Sequence, residues 1–597
     1  MRLNTSRISP EKIESKEYAY PSFNDGKPFS EKKTGRLPAM GWNSWNAFGS
    51  GNTEALTKAM ADKILELGLD KLGYEYLVLD DGCYKQERVD GKLSNEEVKF
   101  PSGFKALADY IHGKGLKFGM YNDIGTNLCA GAQVGTCGHE ETDAKSYVEW
   151  GIDFLKVDNC YYLWDNATFS NGENARFSFA PDIASIKVKG DDFEIVKEAA
   201  SGKITGQGPW FDGKYVTNIG TFDGTNTGTT PVGERSGELE LDIKIPKAGE
   251  YSLFVEYRSG KRNGCGEWLQ IALGDKEHEN RIYDELVTSS TDDKDSILEV
   301  KCFLKEGNNI IRLMNHRRQE NTLNAYATMF YALQNAAPRN DIQLSICEWG
   351  KTQPQNWGYK IGNSWRILND ITFCVGSDRD FGRGEWDNPG TQSIVSQYNK
   401  AVIMDRFAGL EKGWNDPDMM VIGMNDVDET MCRTHMSMWC MMNSPLMLGL
   451  DLRRVKKDDW IYNIIANENL ISLNQDALGV QSRRIYSSIL ENEAPDLTYI
   501  TNNDRVDILA KPLSNGDIAL AFYNLSREDK PESYQISIEE IVKMIGEEMV
   551  NKVDWLRTEK FVAMDLFNDE KTIIDEKIVR VDGIKGCDNV TLRLCIA

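Results

Sequence analysis

Carboxylates recur in this sequence where short apolar runs end. Asp80 and Asp81 close "YEYLVLDDG", Asp158 stands in "FLKVDNC", and Glu348 follows "IQLSIC". Asp370 lies in "SWRILNDI", and Asp416 and Asp418 lie in "GWNDPDM". Tyr121, Lys156 and Arg366 sit in comparable runs, and Trp42, Trp45, Trp349, Trp365 and Trp414 fall among them. Carboxylates accept hydrogen bonds from hydroxyls, and an indole face covers the apolar C–H face of a pyranose. Two carboxyls can also cleave a glycosidic bond: one protonates the departing oxygen, the other attacks the anomeric carbon or activates water. Each aspartate taken singly is ordinary, because such residues open turns and cap helices. Their ordered recurrence is not. On residue types alone, three readings stand: a glycosidase, a sugar-binding protein without chemistry, and a divalent-metal barrel enzyme of the enolase type.

The elements that must position these residues read as alternating strands and helices. "TEALTKAMADKILELGL" carries Leu56, Met60, Ile64 and Leu67 at helical spacing, with Gly68 as a stop. "SGFKALADYIHGKG" and "ETDAKSYVEWG" read as further helices. Between them "YEYLVLDDG", "LKFGMYND" and "IDFLKVDNC" are apolar rather than alternating, as parallel strands buried on both faces must be. Ligands gather at the carboxyl ends of such strands in barrels and in doubly wound sheets alike. This explains why a run that enters a core ends on Asp158.

The rhythm breaks after Asp158 and resumes with "LNAYATMFYALQNAA" and "IQLSICEWG". Between them "GELELDIKIPKAGEYSLFVEYRSG" alternates polar and apolar, as does "LEVKCFLKEGNNIIRLMNH", whose Gly-Asn-Asn reads as a turn between two strands. Residues 164–321 therefore read as a β-sandwich inserted into a barrel loop, which the slow growth of loop-closure cost permits. Residues 37–163 and 322–480 form the barrel, with "MNSPLMLGLDLR" as its closing strand. Residues 481–597 read as a C-terminal antiparallel β domain, with a hairpin at Ser-Asn-Gly-Asp. Residues 1–36 are polar and irregular and read as a leader.

The 597 residues, 41% hydrophobic and 27% charged, suffice for several real cores. A net charge of −23 argues against nucleic acid and anionic membranes, whose binding needs clustered Lys and Arg. No apolar run reaches the about 18 residues of a membrane span. "MRLNTSRISPEK" shows no apolar signal core, so the expectation is a cytoplasmic protein, or a secreted one whose signal lies outside this sequence. The 12 cysteines include no Cys-x-x-Cys pair and there are only 5 histidines, so no structural zinc site is expected.

"MGWNSWNAF", "LDDG", "FLKVDNC", "ICEWG", "SWRILNDI" and "GWNDPDM", in this order, resemble glycoside hydrolase family 27, the α-galactosidase family of clan D. The resemblance covers roughly residues 36–163 and 322–597. It implies a retaining (β/α)8 TIM barrel followed by an antiparallel β domain, acting on a terminal α-linked galactose of an oligosaccharide or glycoconjugate. It places the catalytic nucleophile on Asp158 and the general acid/base on Asp370, with carboxyls about 5–5.5 Å apart. It places Asp80 and Asp81 on the 4- and 6-hydroxyls, Lys156 on the 3- and 4-hydroxyls, and Glu348 and Arg366 on the 2-hydroxyl side. Trp45 and Tyr121 would form walls, with Asp418 and Met419 nearby. No cofactor or metal is implied for the chemistry. Relatives acting on N-acetylgalactosamine carry small residues where Glu348 stands, and relatives acting on β-L-arabinopyranosides tend to a longer Glu where Asp81 stands. Cys129 and Cys160 match a family disulfide pair. Two departures are visible. The family's Trp after the Asp pair is missing from "DDGCY", which would reshape the pocket rim, and "VGSDRDFGRGEWDNPGTQS" is longer and more charged, as if to cover the site. The inserted segment is similar to jelly-roll carbohydrate-binding modules of the family 35 and 6 type. That likeness implies a structural calcium in some members and makes Trp210, Tyr257 and Arg258 candidate binding residues, against a plain sandwich that shapes the cleft and binds nothing.

Overall fold

The computed structural model describes residues 27–597 apart from 163–178, 207, 221–236, 260–266, 277, 291–293, 338–340, 373 and 389–391. Eight parallel strands form one curled sheet: β1 (Met40–Asn43), β2 (Tyr76–Val78), β3 (Lys117–Asp123), β4 (Phe154–Asp158), β5 (Gln343–Cys347), β6 (Ser364–Arg366), β7 (Trp414–Asp416) and β8 (Leu446–Leu448). Neighbours follow chain order from β1 to β7, and β8 pairs with β1. The remaining seam is closed just past β7. There Met420 bridges to Leu448, and its N–H donates to the Met447 carbonyl at 2.8 Å. This is the (β/α)8 barrel expected from the sequence.

Local sequence sets these elements. The helix Glu54–Leu67 is capped by the Thr53 side chain, which accepts from Leu56 N–H. It ends at Gly68 with φ 75°, a left-handed residue whose N–H reaches the Ile64 and Leu65 carbonyls. Met60, Ile64 and Leu67 are buried as their spacing requires. The helix Glu140–Trp150 likewise stops at a left-handed Gly151, while Gly103–His112 ends at Gly113, whose backbone stays right-handed. β2 and β5 are buried at every residue, the polar Gln343 and Ser345 of β5 included.

After β4 the chain builds two antiparallel sheets around a core of its own. One holds Lys203–Gly206, Gly237–Ile245, Trp268–Leu273, Asn280–Leu286 and Gly307–Met314. The other includes Asp182–Lys189, Gly249–Arg258 and Ser296–Leu304. The Gly-Asn-Asn reading needs correction. Gly307 opens the strand instead of turning the chain, and the strands on either side of it belong to different sheets. The alternation was right, but the connection crosses the sandwich, because each strand buries its apolar face from the opposite side. The barrel helix that follows starts at Arg317, ahead of residue 322, because the strand before it ends at Met314.

The last segment forms an antiparallel sheet that includes Val506–Pro512, Ile518–Asn524 and Asn589–Ile596. Its hairpin turns at Gly516, φ 90°. Two helices, Ile538–Ile545 and Lys552–Arg557, lie between its strands and were not read from the sequence. Tyr398 of the barrel donates to Asp507 of this sheet at 3.1 Å. Residues 27–36 of the leader pack beneath the barrel, with Lys32 donating to the Tyr359 and Lys412 carbonyls. No described helix is long and apolar enough to cross a membrane.

Candidate active site

The carboxyl ends of the barrel strands bring the motif residues together. β1 ends on Asn43, whose Oδ1 caps the following helix at Trp45 N–H while its Nδ2 donates to Asp80 at 2.9 Å. The same Asp80 oxygen lies 2.7 Å from Lys156 Nζ. Burial works against the Lys156 ammonium, but the Asp80 carboxylate overrides it and holds the pKa well above the ordinary value. Asp81 turns the other way and accepts from Gly82 N–H and Ala130 N–H, each at 2.6 Å. Burial pushes its pKa up to about 7, and the charges of Asp80 and Asp158 add to the rise.

Asp158 closes β4 and is buried. Tyr121 donates its hydroxyl to Oδ2 at 2.8 Å, and Asn159 N–H donates to Oδ1 at 2.8 Å. Lys156 lies 5.6 Å from the centre of the Tyr121 ring. The carboxylate therefore has a fixed orientation. Behind it, Asp123 pairs with Asp158 across the β3–β4 ladder and accepts from Cys160 N–H and Gly125 N–H, each at 2.6 Å. Burial, and then the charge of Asp158, raises the Asp123 pKa to about 7.

Asp370 stands on the loop after β6. Arg366 Nη2 reaches Asp370 at 3.1 Å and Asp418 at 2.9 Å. Asp418 adopts φ 79° and also accepts from Ile371 N–H at 2.8 Å, beside Asp370 in the chain. Trp439 Nε1 donates to the Asp418 carbonyl at 2.9 Å and pins this left-handed residue. Asp370 is the more open member, with 27% of its side chain exposed against 2% for Arg366 and 4% for Asp418. Burial raises its pKa to about 6; Arg366 opposes the rise, and Asp418 and Asp158 assist it. Asp416 is raised to about 6 by burial as well.

Glu348 lies immediately past β5, wholly buried, and its Oε1 accepts from Thr352 N–H at 2.8 Å. Gly350, φ 75°, lets this turn close: a Cβ there would stand 2.0 Å from the Ile367 carbonyl oxygen. Trp45 and Met419 pack with Met447 and Tyr76 over the barrel interior.

Not every expectation fits. Tyr84, where the family has its Trp, is not on a rim. It is buried, donates to the Tyr121 carbonyl at 2.9 Å and packs edge-on to Phe104. Residues 375–388 run from the Asn46 carbonyl, which takes Gly376 N–H, to Trp386, buried with its indole on the Leu525 carbonyl. That span thus ties the barrel to the C-terminal sheet. Cys129 and Cys160 are unbonded thiols. Their Sγ atoms and an Asp158 oxygen lie within 4.8 Å of one another, the one such grouping of His, Cys, Asp and Glu among the described residues, and none falls in the inserted sheets. Tyr257 is buried with its hydroxyl on Thr288, while Trp210 is 54% exposed, and Arg258 pairs with Asp182. Sequence reasoning missed Asp123 and Thr352. Asp123 had a signal, a strand-end carboxylate in "YND"; Thr352, in a loop, had none.

The sequence profile described as alpha galactosidase A matches residues 37–180 and 295–476. The chain belongs to this family. The matched segments take in Asp80, Asp158, Glu348 and Asp370, and leave residues 181–294 outside. An α-galactosidase of Oryza sativa subsp. japonica is 26% identical over 510 residues, 85% of this chain and 75% of that protein. The crystal structure of α-galactosidase I from Mortierella vinacea superposes with TM-score 0.58 at 21% identity, covering 94% of this chain and 97% of that one. An α-galactosidase from Saccharomyces cerevisiae, solved with raffinose, gives 0.57 at 21% identity, covering 97% of this chain and all of that one, 100%.

Proposed function

We propose that the chain is a retaining, exo-acting α-galactosidase that removes terminal α-linked galactose from oligosaccharides, with raffinose-type sugars as the substrate class. Family membership supports the activity, and one observation carries the roles. An aspartate fixed by Tyr121 and Asn159 N–H lies within electrostatic reach of a second, more open aspartate whose pKa stands near 6.

Asp158 attacks the anomeric carbon as the C–O bond to the leaving group breaks. The departing oxygen takes the proton of Asp370. The product of this step is a glycosyl ester on Asp158, which has lost its negative charge. That charge helped to raise the Asp370 pKa, so its loss lowers that pKa. Asp370 is thereby converted from acid to base, as the second step requires. It takes a proton from water, water attacks the anomeric carbon, and the ester opens to α-galactose. Asp80, Asp81 and Lys156 hold the 3-, 4- and 6-hydroxyls, Glu348 and Arg366 the 2-hydroxyl side, and Trp45 the apolar face. Asp418 holds Arg366 and the Asp370 loop, and with Met419 it lines the pocket beside Lys156 and Arg366.

The test is hydrolysis of p-nitrophenyl α-D-galactopyranoside by wild type and Asp158→Ala, with proton NMR of the first sugar formed. α-Galactose first, and no turnover in the variant, is the expected result. Full activity in the variant would overturn the assignment of the nucleophile, and β-galactose first would overturn retention.

A further inference from the structure

The strand Trp268–Leu273 of the inserted sandwich is buried from Trp268 through Ala272. Leu269 and Ile271 enter the sandwich core. The alternate residues face the barrel. Trp268 is part of the barrel's own apolar cluster, and the Arg317 guanidinium lies 4.7 Å from its ring. Gln270, completely buried, makes the contact that matters most. The helix Arg317–Ala336 begins after His316, which contributes no side-chain cap. Gln270 Oε1 accepts His316 N–H at 2.6 Å, and its Nε2 donates to Glu320 at 2.9 Å. Arg281, also from the sandwich, pairs with Glu320 at 2.7 Å. Asn315 Oδ1 accepts the first helical N–H, that of Arg317, at 2.9 Å, and the inserted sheets add a second tie to this helix start through Gln270 and Arg281.

That helix carries the tie onward. Gln319 Nε2 donates to the Thr352 carbonyl at 2.8 Å, and Thr352 N–H holds Glu348 Oε1 at 2.8 Å. Gln270, Glu320, Gln319, Thr352 and Glu348 are buried, and His316 is partly buried, so water competes little for these bonds. We infer that Gln270 is a positioning residue for Glu348, and through it for discrimination at the sugar's 2-hydroxyl. The inference rests on the reading of Glu348 given above. The inserted sandwich is then a working part of the specificity pocket and not an appendage. Without the Gln270 tie the first helical turn loosens, the Gln319–Thr352 contact weakens, and the Glu348 carboxylate loses its fixed aim. A site built to hydrogen-bond a hydroxyl loses its preference for that hydroxyl when the partner is misplaced.

The experiment compares kcat/KM for p-nitrophenyl α-D-galactopyranoside and its 2-deoxy analogue in wild type, Gln270→Met, Gln319→Ala and Glu348→Ala. Methionine keeps the side-chain volume of Gln270 and removes its two hydrogen bonds to the helix, along with one to Asp284 of the sandwich at 3.1 Å. The expected result is a galactoside to 2-deoxygalactoside ratio lowered about tenfold in Gln270→Met and Gln319→Ala, with the 2-deoxy rate kept within about twofold. Equal loss on both substrates, or no loss on either, would overturn the inference, since a merely structural role does not distinguish them. A ratio changed in Glu348→Ala and unchanged in Gln270→Met would sink the relay alone. A ratio unchanged in Glu348→Ala would sink the role of Glu348 itself. Should Gln270→Met not fold, Gln319→Ala decides by the same ratio.

Discussion

Arg366 stands 3.1 Å from Asp370, four residues on, although no helix joins them. Strand β6 ends at Arg366 and the loop folds back so that the guanidinium faces the carboxyl of Asp370, the proposed acid. The pairing has a sign. A cation favours the carboxylate, so Arg366 restrains a pKa that burial, Asp418 and Asp158 push up to about 6. Activity should therefore fall as pH rises through about 6, where the acid loses its proton. Replacing Arg366 by Gln removes the restraint and should move this alkaline limb upward by roughly 1–3 pH units, together with a loss in kcat/KM. The pH profile of kcat/KM checks both, and a limb that stays in place would separate it from Asp370.

The two aspartates should respond differently to azide. In Asp370→Ala the glycosyl ester still forms on Asp158 when the leaving group needs no proton, and azide then attacks from the face that water used. The expected product is α-galactosyl azide. In Asp158→Ala, azide takes the place of the missing nucleophile and should yield β-galactosyl azide. NMR of the azide products checks the assignment, and the same anomer from both variants would contradict it.

The barrel was legible because parallel strands buried on both faces leave an apolar texture, and the ordered recurrence of carboxylates where that texture ends is not ordinary, while the roles proposed for Asp158 and Asp370 came from the family resemblance. Asp158 and Glu348 stand out for this reason. The hydrogen bonds that aim them were not legible. Thr352 N–H is a backbone donor in a loop, and its role follows from how "CEWGKT" folds back, which no residue type announces. Gln270 was invisible for another reason. A lone glutamine in the apolar run "WLQIAL" does not announce a partner, and only the docking of its face on the barrel supplies one. Tyr84 failed in the opposite direction: it occupies a rim position in the motif, but the ring turns into the cluster with Phe104 and Trp150.

Asp81 should set the preference at the sugar's sixth carbon. Both of its oxygens are held by backbone N–H groups of Gly82 and Ala130, so the carboxylate cannot retreat. Asp81→Glu adds one methylene and pushes the carboxylate into the space of a hydroxymethyl. The variant should lose α-galactoside hydrolysis and gain relative activity on p-nitrophenyl β-L-arabinopyranoside, which lacks that group, by about 10–200-fold in ratio. Paired kcat/KM values on the two substrates measure it, and an unchanged ratio would remove Asp81 from specificity.

Stability should depend on a charge buried where the C-terminal sheet meets the barrel. Asp507, Arg484 and Arg505 are all completely buried. Arg505 Nε lies 3.0 Å from Asp507 Oδ1, Arg484 Nη1 lies 3.3 Å from Oδ2, and Tyr398 of the barrel donates to the same oxygen. Burial works against the Asp507 charge, but Arg505 and Arg484 override it and hold the pKa below the ordinary carboxylate value. A carboxyl whose folded pKa is depressed contributes stability that is complete above its unfolded pKa and is lost as pH falls through the folded one. The contribution of Asp507 should therefore be full at neutral pH and disappear in acid, below about pH 4. Asp507→Ala leaves two guanidinium groups buried without their shared partner and should cost about 3–5 kcal/mol at pH 7. The gap to wild type should narrow in acid, as Asp507 of the wild type takes up its proton. Urea unfolding of both proteins at pH 7 and about two units below the ordinary aspartate pKa of about 4 tests this, because a gap independent of pH would mean that packing, and not the charge, holds the sheet to the barrel.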